Sequence, residues 1–169
     1  MDWHDNPEQA AWRAEVKTFL QNELPKDLVG KGGYRARRSD MSGASWGQWR
    51  SALAKRGWIA AHWPKEYGGA GLTPIEQFIL NEEFAMAEAP QLGGSGTMML
   101  GPTIIQHGTE DQKKEHLGGI LRGEVQWCQG YSEPGSGSDL ASLQTRAIRD
   151  GDDYVINGQK IWTSGAHTS

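Results

Sequence analysis

Apolar positions recur three or four residues apart through the first 123 residues, and beyond Gly123 they alternate. Asn6 followed by Pro7 predicts a helix start, because proline at the first helical position gives up an N–H that would be orphaned anyway. Trp12, Val16, Phe19 and Leu20 form its apolar face, and Pro25 limits it. A second helix is expected from near Ser45, with Ser45 as its cap, Trp46, Trp49, Ala52 and Leu53 on one face, and Gly57 as a left-handed stop. Thr73-Pro-Ile-Glu76 and Thr109-Glu-Asp-Gln112 have capping-box spacing, in which the hydroxyl and the N3 side chain each satisfy the other's backbone N–H. The first predicts a helix carrying Ile75, Phe78, Ile79, Phe84 and Met86 that stops before Pro90. The second predicts one reaching Leu121 and Arg122, and a further helix fits residues 98–107, closed by Gly108.

Two connections stand out. Residues 26–38 carry Lys26, Lys31, Arg35, Arg37 and Arg38 among three glycines with no apolar period, which reads as a solvated basic loop. Residues 58–71 combine an aromatic start with Pro64 and three glycines, which reads as a fixed loop. Past Gly123 the pattern predicts a strand over 125–132, a rigid turn at Glu133-Pro-Gly-Ser-Gly-Ser-Asp139, and a strand over 143–149. A hairpin turn at Asp150-Gly151, a strand over 153–156, a second hairpin turn at Asn157-Gly158 and a strand over 160–164 complete it. The fold class is α+β: an N-terminal all-α helical domain over residues 1–123, then the beginning of an antiparallel β domain over 124–169. A sheet of these strands with no closing partner leaves an edge and a face open, so a truncated, incomplete domain is expected.

The composition narrows the class. At 169 residues and 18.6 kDa, with 37% hydrophobic residues and 8 Trp, the chain can bury a core. Its 17 basic and 21 acidic residues leave a net charge of −4, which argues against a nucleic-acid binder that works by neutralising phosphate. The single cysteine, Cys128, excludes an internal disulfide and a multi-thiolate metal site, and fits a reducing compartment. No segment approaches the ~20 apolar residues needed to span a bilayer, and the N-terminus lacks the regions of a secretory signal. A soluble cytoplasmic protein is the expectation. The five histidines form no HxH or HxxxH pair, so no metal site is expected.

Candidate chemistry begins with the glycine loop. As a dinucleotide fingerprint Gly135-Ser-Gly-Ser-Asp139 fails, since Leu140 stands at the third glycine and a strand follows. Such a loop is either a plain turn or a set of backbone N–H groups and hydroxyls able to hold an anion or the polar edge of a ring. Gly43-Ala-Ser45-Trp-Gly47 matches a hydrolase nucleophile elbow by letter, but the polar Arg37-Arg-Ser-Asp40 before it cannot be the buried strand such an elbow follows. A serine hydrolase acting through Ser45 is therefore the least favoured reading. Trp46, Trp49, Trp58 and Trp63 read as core, His107 as a helix C-terminal residue facing the dipole, and Cys128 as a buried, inert strand residue.

At Trp127-Cys-Gln-Gly-Tyr-Ser-Glu-Pro-Gly-Ser-Gly-Ser-Asp-Leu-Ala-Ser142 the sequence resembles the signature of the acyl-CoA dehydrogenase family. The run Asp153-Tyr-Val-Ile-Asn-Gly-Gln-Lys-Ile-Trp-Thr-Ser164 resembles the family's next strand pair. Residues 58–71 and His107-Gly-Thr-Glu-Asp-Gln-Lys113 resemble landmarks of its helical domain, and the likeness is to bacterial members. The resemblance implies FAD as cofactor and an acyl-CoA thioester as substrate, within fatty acid and lipid metabolism. It also implies an N-terminal helical domain, a middle β domain, a C-terminal helical bundle, and assembly as a homodimer or homotetramer. Gln129, Tyr131 and Ser132 match the segment that touches the flavin, with the Ser132 hydroxyl toward N5 or O4. Ser138 matches a residue shared between cofactor and the CoA moiety of the substrate, and Trp162, Thr163 and Ser164 match the second flavin-contacting segment.

In such an enzyme a glutamate removes the α-proton, the β-hydrogen passes as hydride to flavin N5, and a trans-2-enoyl-CoA results. The electrons then leave to an electron-transfer flavoprotein. The base normally comes from the C-terminal bundle, and no residue here matches it; Glu133 lies inside the signature turn and reads as structural. Leu117-Gly-Gly119 departs from the family's Leu-Pro and implies a more mobile helix end. The chain alone is expected to be inactive. The alternatives within the same fold are a flavoprotein with another substrate and a non-catalytic subunit.

Overall fold

The computed structural model describes residues 4–31 and 42–169, which include two compact units, one ending at Glu124 and one spanning Val125–Ser169. The first is helical. Helix α1 (Pro7–Glu23) starts at Asn6, whose Oδ1 accepts the Gln9 N–H at 2.8 Å while Gln9 Oε1 accepts the Asn6 N–H at 3.0 Å. That reciprocal box supplements the Asn-Pro start the sequence offers. Helix α2 (Ala44–Lys55) corrects one expectation: its cap is Gly43, at φ +102°, and Ser45 is the second residue inside the helix. The left-handed glycine turns the chain in, so no side-chain cap is used.

Helices α3 (Pro74–Met86) and α5 (Glu110–Arg122) open on the two threonine boxes as their spacing predicts, and α5 ends at Gly123 in the left-handed region. The expected single helix over 98–107 is instead a π turn at Gly96–Leu100 running into α4 (Gly101–His107). Pro102 has no N–H to offer the carbonyl four residues back, and the Gly101 N–H reaches the Gly96 carbonyl across a widened turn. His107 is the last residue of α4. The 58–71 loop holds two short 3-10 turns, at Trp58–Ala60 and Lys65–Tyr67.

Tryptophan organises this core. Trp46, Trp49, Trp58 and Trp63 are all buried, and the indole N–H groups of Trp49 and Trp63, the two most deeply placed, find carbonyls. Trp49 donates to Pro90 at 2.8 Å and Trp63 to Thr97 at 2.9 Å, while Trp12 bridges α1 to the Glu76 carbonyl of α3 at 3.0 Å. Phe19 stacks at an angle on Trp58, with centroids 4.5 Å apart. At the rim Arg13 binds Asp5, Glu82 and the buried Glu83, which fastens α1 to α3 by charge as well as by packing. The basic loop is less solvated than its composition predicts: Lys26–Leu28 forms a 3-10 turn and Leu28, 1% exposed, is anchored in the core. Residues 32–38 of that loop, including Arg35, Arg37 and Arg38, lie outside the described residues. No described helix is long and apolar enough to cross a membrane.

The second unit holds one antiparallel pair, β1 (Arg146–Asp150) and β2 (Asp153–Asn157), in register Ile148 to Val155. Asp150 pairs with Asp153, so the turn residues are Gly151 and Asp152, one position later than predicted. The other two expected strands are absent from the described residues. Residues 125–132 run without a ladder, and residues 160–164 are tied to them by one backbone bond, Ile161 N–H to the Ser132 carbonyl at 2.9 Å. Trp162 sits at φ +57°, which breaks an extended strand at its midpoint. Asn157-Gly158 is accordingly not a hairpin turn, and Cys128 is half-buried outside any strand.

Replacing Trp49 by Phe should remove the donor from a carbonyl enclosed in the core. A loss of about 1–3 kcal/mol is expected from the unpaired acceptor alone. Urea unfolding followed by far-UV circular dichroism measures it, and an unchanged midpoint would show that the Pro90 bond contributes nothing.

Candidate functional site

The signature turn is built around one acid. Pro134 and Gly135 fold the chain so that Glu133 and Ser136 exchange both backbone bonds, at 2.7 and 3.0 Å. Ser136 Oγ then donates to the Asp139 carbonyl at 2.6 Å, which closes the glycine loop, and Ser142 Oγ donates to the same carbonyl at 3.0 Å. Glu133 is 5% exposed. Its carboxylate accepts the Gln144 N–H at 2.6 Å, the Thr145 N–H at 3.0 Å and the Lys160 ammonium at 2.9 Å.

Those partners set its ionisation. The adjoining Thr145 side chain, the Gln144 amide and the Lys160 ammonium bring the Glu133 carboxyl down to about 2, against the smaller opposing effect of burial. A carboxylate so committed is a structural acceptor. Held this way it is a weak base toward a carbon acid.

Lys160 also donates to the Tyr131 carbonyl at 3.0 Å. Three consecutive residues, 131 to 133, are thus each bonded by residue 160 or 161. Two glycines permit the approach. A Cβ on Gly158 would lie 2.1 Å from Thr145 Oγ1, and one on Gly130 would lie 3.2 Å from Lys160 Cγ.

The residues singled out in the sequence surround this knot. Tyr131 and Ser132 lie on one side, with Tyr131 exposed and Ser132 half-buried. Trp162, Thr163 and Ser164 follow directly on the other, where Trp162 is 86% exposed in a left-handed backbone conformation. Gln129 is exposed three residues before Ser132, and Ser138 is exposed in the loop that Ser136 closes. The bonds of the knot join residues 131–133 to residues 160 and 161 and do not include Gln129 or Ser138. Sequence reasoning missed Lys160, Gly158 and the paired amides of Gln144 and Thr145. A Lys paired with a Glu 27 residues away leaves no local period or spacing to read. Ser45 lies inside α2, and among the described residues no strand leads into it.

Comparison with known proteins assigns the fold. Residues 6–124 match the model of the acyl-CoA dehydrogenase N-terminal domain and residues 128–169 that of the acyl-CoA dehydrogenase middle domain. The chain belongs to the acyl-CoA dehydrogenase family. It is 41% identical over 165 residues to acyl-CoA dehydrogenase FadE29 of Mycobacterium tuberculosis, covering 95% of this chain and 40% of that protein. Among solved structures it resembles the Tcur3481-Tcur3483 steroid ACAD (39% identity, TM-score 0.71, covering 100% of this chain and 43% of that one). It also resembles the ChsE4-ChsE5 complex from Mycobacterium tuberculosis (38% identity, TM-score 0.70, covering 97% and 40%). The chain spans about two fifths of the length of these relatives.

The Glu133 value implies a defined acid response. Because the folded carboxyl titrates near 2 rather than at its ordinary 4.5, its contribution to stability is fully present above about 4.5 and is lost as pH falls toward 2. Hydrogen exchange at the Gln144 and Thr145 amides, corrected for intrinsic rates, should show protection that declines over that window in the native sequence. In Glu133→Gln the protection should be low at neutral pH and flat with acid; protection in the native chain that ignores pH would refute the assignment. Separately, Gly158→Ala should destabilise the second unit by about 1–3 kcal/mol through overpacking against Thr145, read as a lowered melting temperature.

Proposed function

We propose that the protein containing this chain is an FAD-dependent acyl-CoA dehydrogenase acting on a steroid-derived acyl thioester. The observation that carries the reading is the cross-bonding of residues 131–133 to residues 160–161 beside an exposed, left-handed Trp162. The donor set suits a flavin: hydroxyls at Ser132, Ser138, Thr163 and Ser164, the Gln129 amide, the Tyr131 side chain, and a flat indole with an uncovered face. Bound there, FAD supplies the acceptor for the β-hydrogen of the substrate as hydride. The Ser132 hydroxyl donates a hydrogen bond to the polar edge of the cofactor, and the Trp162 ring shields the site from water. Donors fixed before the reaction cost no reorganisation during it, which is the role the rigid signature turn serves. Ser138 is shared between the cofactor and the CoA moiety.

In this reading residues 1–123 form the N-terminal helical domain and residues 124–169 the first part of the middle β domain. The glutamate that takes the α-proton lies outside these 169 residues, since the acid of the signature turn is engaged. The substrate class rests on the likeness to a steroid ACAD at 39% identity, which favours a steroid-derived acyl thioester over a linear fatty acyl one. Assembly with a second, different chain is favoured by the same likeness and by that to the ChsE4-ChsE5 complex. An electron-transfer flavoprotein is the proposed electron acceptor. The 169-residue chain alone binds FAD weakly and does not turn over substrate.

Anaerobic mixing of the full-length protein, alone and with its partner chain, with acyl-CoA thioesters tests this through loss of the oxidised flavin absorbance. Bleaching is expected with a steroid-derived acyl thioester, about tenfold faster than with a linear one, the equivalent of roughly 1.4 kcal/mol in the barrier. Absence of bleaching with every thioester in a preparation that holds FAD would sink dehydrogenation and leave the non-catalytic-subunit reading. Ser132→Ala should weaken FAD binding about two- to tenfold, the effect of one lost neutral hydrogen bond.

A further inference from the structure

We propose that Lys160 is a positioning residue of the flavin site: by bonding the Tyr131 carbonyl and the Glu133 carboxylate at once, it fixes Ser132 and Trp162 relative to each other. The inference rests on the functional reading above. Nζ lies 3.0 Å from the Tyr131 carbonyl oxygen and 2.9 Å from Glu133 Oε1, and the next residue's N–H holds the Ser132 carbonyl at 2.9 Å. A single ammonium with rotatable donors can serve a carbonyl and a carboxylate in different directions, which a neutral side chain of the same length cannot do with equal strength. The stem of Lys160 lies against Gly130, where a Cβ would approach within 3.2 Å, so the chain is shaped to admit it.

The position of the clamp gives it a role beyond stability. It bonds the residues on either side of Ser132, and it lies two residues before Trp162. Trp162 occupies a backbone region that a bulky residue adopts only when its surroundings determine it. The bonds at residues 160 and 161 fix the chain as it enters that conformation. Without the ammonium the Ile161–Ser132 bond alone joins the two segments, and rotation about it moves the hydroxyl and the indole independently. Lys160 itself need not touch cofactor or substrate; it acts through the backbone it holds.

The test uses the full-length FAD-loaded protein carrying Lys160→Met, Lys160→Gln or, as a control, Arg146→Met. Arg146 is exposed on β1 and outside the site, so its variant should match the native protein. Lys160→Met is expected to weaken FAD binding at least tenfold and to lower kcat about tenfold or more with KM for the thioester changed less than about twofold, since small misplacements at a reacting centre act on the chemical step. Lys160→Gln keeps a neutral donor on a shorter stem and should fall between. Either lysine variant that folds and retains native FAD affinity and kcat overturns the inference. Failure of both to fold also overturns it, because Lys160 would then be a strut of the unit. Native protein that neither binds FAD nor bleaches sinks the functional reading instead, which separates the two failures.

Discussion

A single buried carboxylate organises the second unit. Glu133 accepts two backbone N–H groups from residues 144 and 145 and an ammonium from residue 160, so one side chain joins the signature turn, the approach to β1 and the segment after β2. The unit is small, with one strand pair exposed along its whole length, and hydrophobic burial cannot define its geometry. Directional bonds to a fixed anion take that role. Burying a charge is unfavourable unless it is fully paired, and here the partners come from two separate parts of the sequence, residues 144–145 and residue 160. The same requirement that makes the acid costly to bury makes its surroundings unique.

The helical unit is held by the opposite strategy. Trp49, Trp58, Phe19 and Phe84 meet at tilted and edge-on angles, and the indole N–H of Trp49 finds a carbonyl within the packed interior. Packing supplies most of the affinity between helices, and the hydrogen bonds select one arrangement among several of similar area. The Arg13 cluster adds charge at the α1–α3 rim, where Asp5 is held below its ordinary value by hydrogen bonding to Arg13.

Much of the helical unit was legible in the sequence because its signals are local. Capping boxes at Thr73 and Thr109, the left-handed stop at Gly123 and the apolar spacing of Trp46, Trp49 and Leu53 depend on residues within one or two turns. The failures have equally local causes. Gly43 displaced Ser45 as the α2 cap, and Pro102 widened the turn before α4. In the second unit, period-two alternation predicted four strands and two were found, because alternation records side-chain chemistry and says nothing about whether a partner supplies hydrogen bonds. The candidate site was visible through its resemblance to a known signature. Its supports were not: the pairing of Glu133 with Lys160 and the approach of Gly158 to Thr145 join residues 27 and 13 positions apart with no periodic trace.

The β1–β2 ribbon carries a further consequence. Ile148 and Val155 face one side and Ile156 the other, all exposed, and neither outer edge is paired among the described residues. Such a ribbon offers a row of open amide and carbonyl groups flanked by β-branched side chains, the arrangement on which another chain adds a strand most readily. Wherever this polypeptide is handled by itself, self-association should therefore begin at residues 146–157 and increase with concentration, and a charged residue in place of Ile148 or Ile156 is the simplest means of keeping it monomeric.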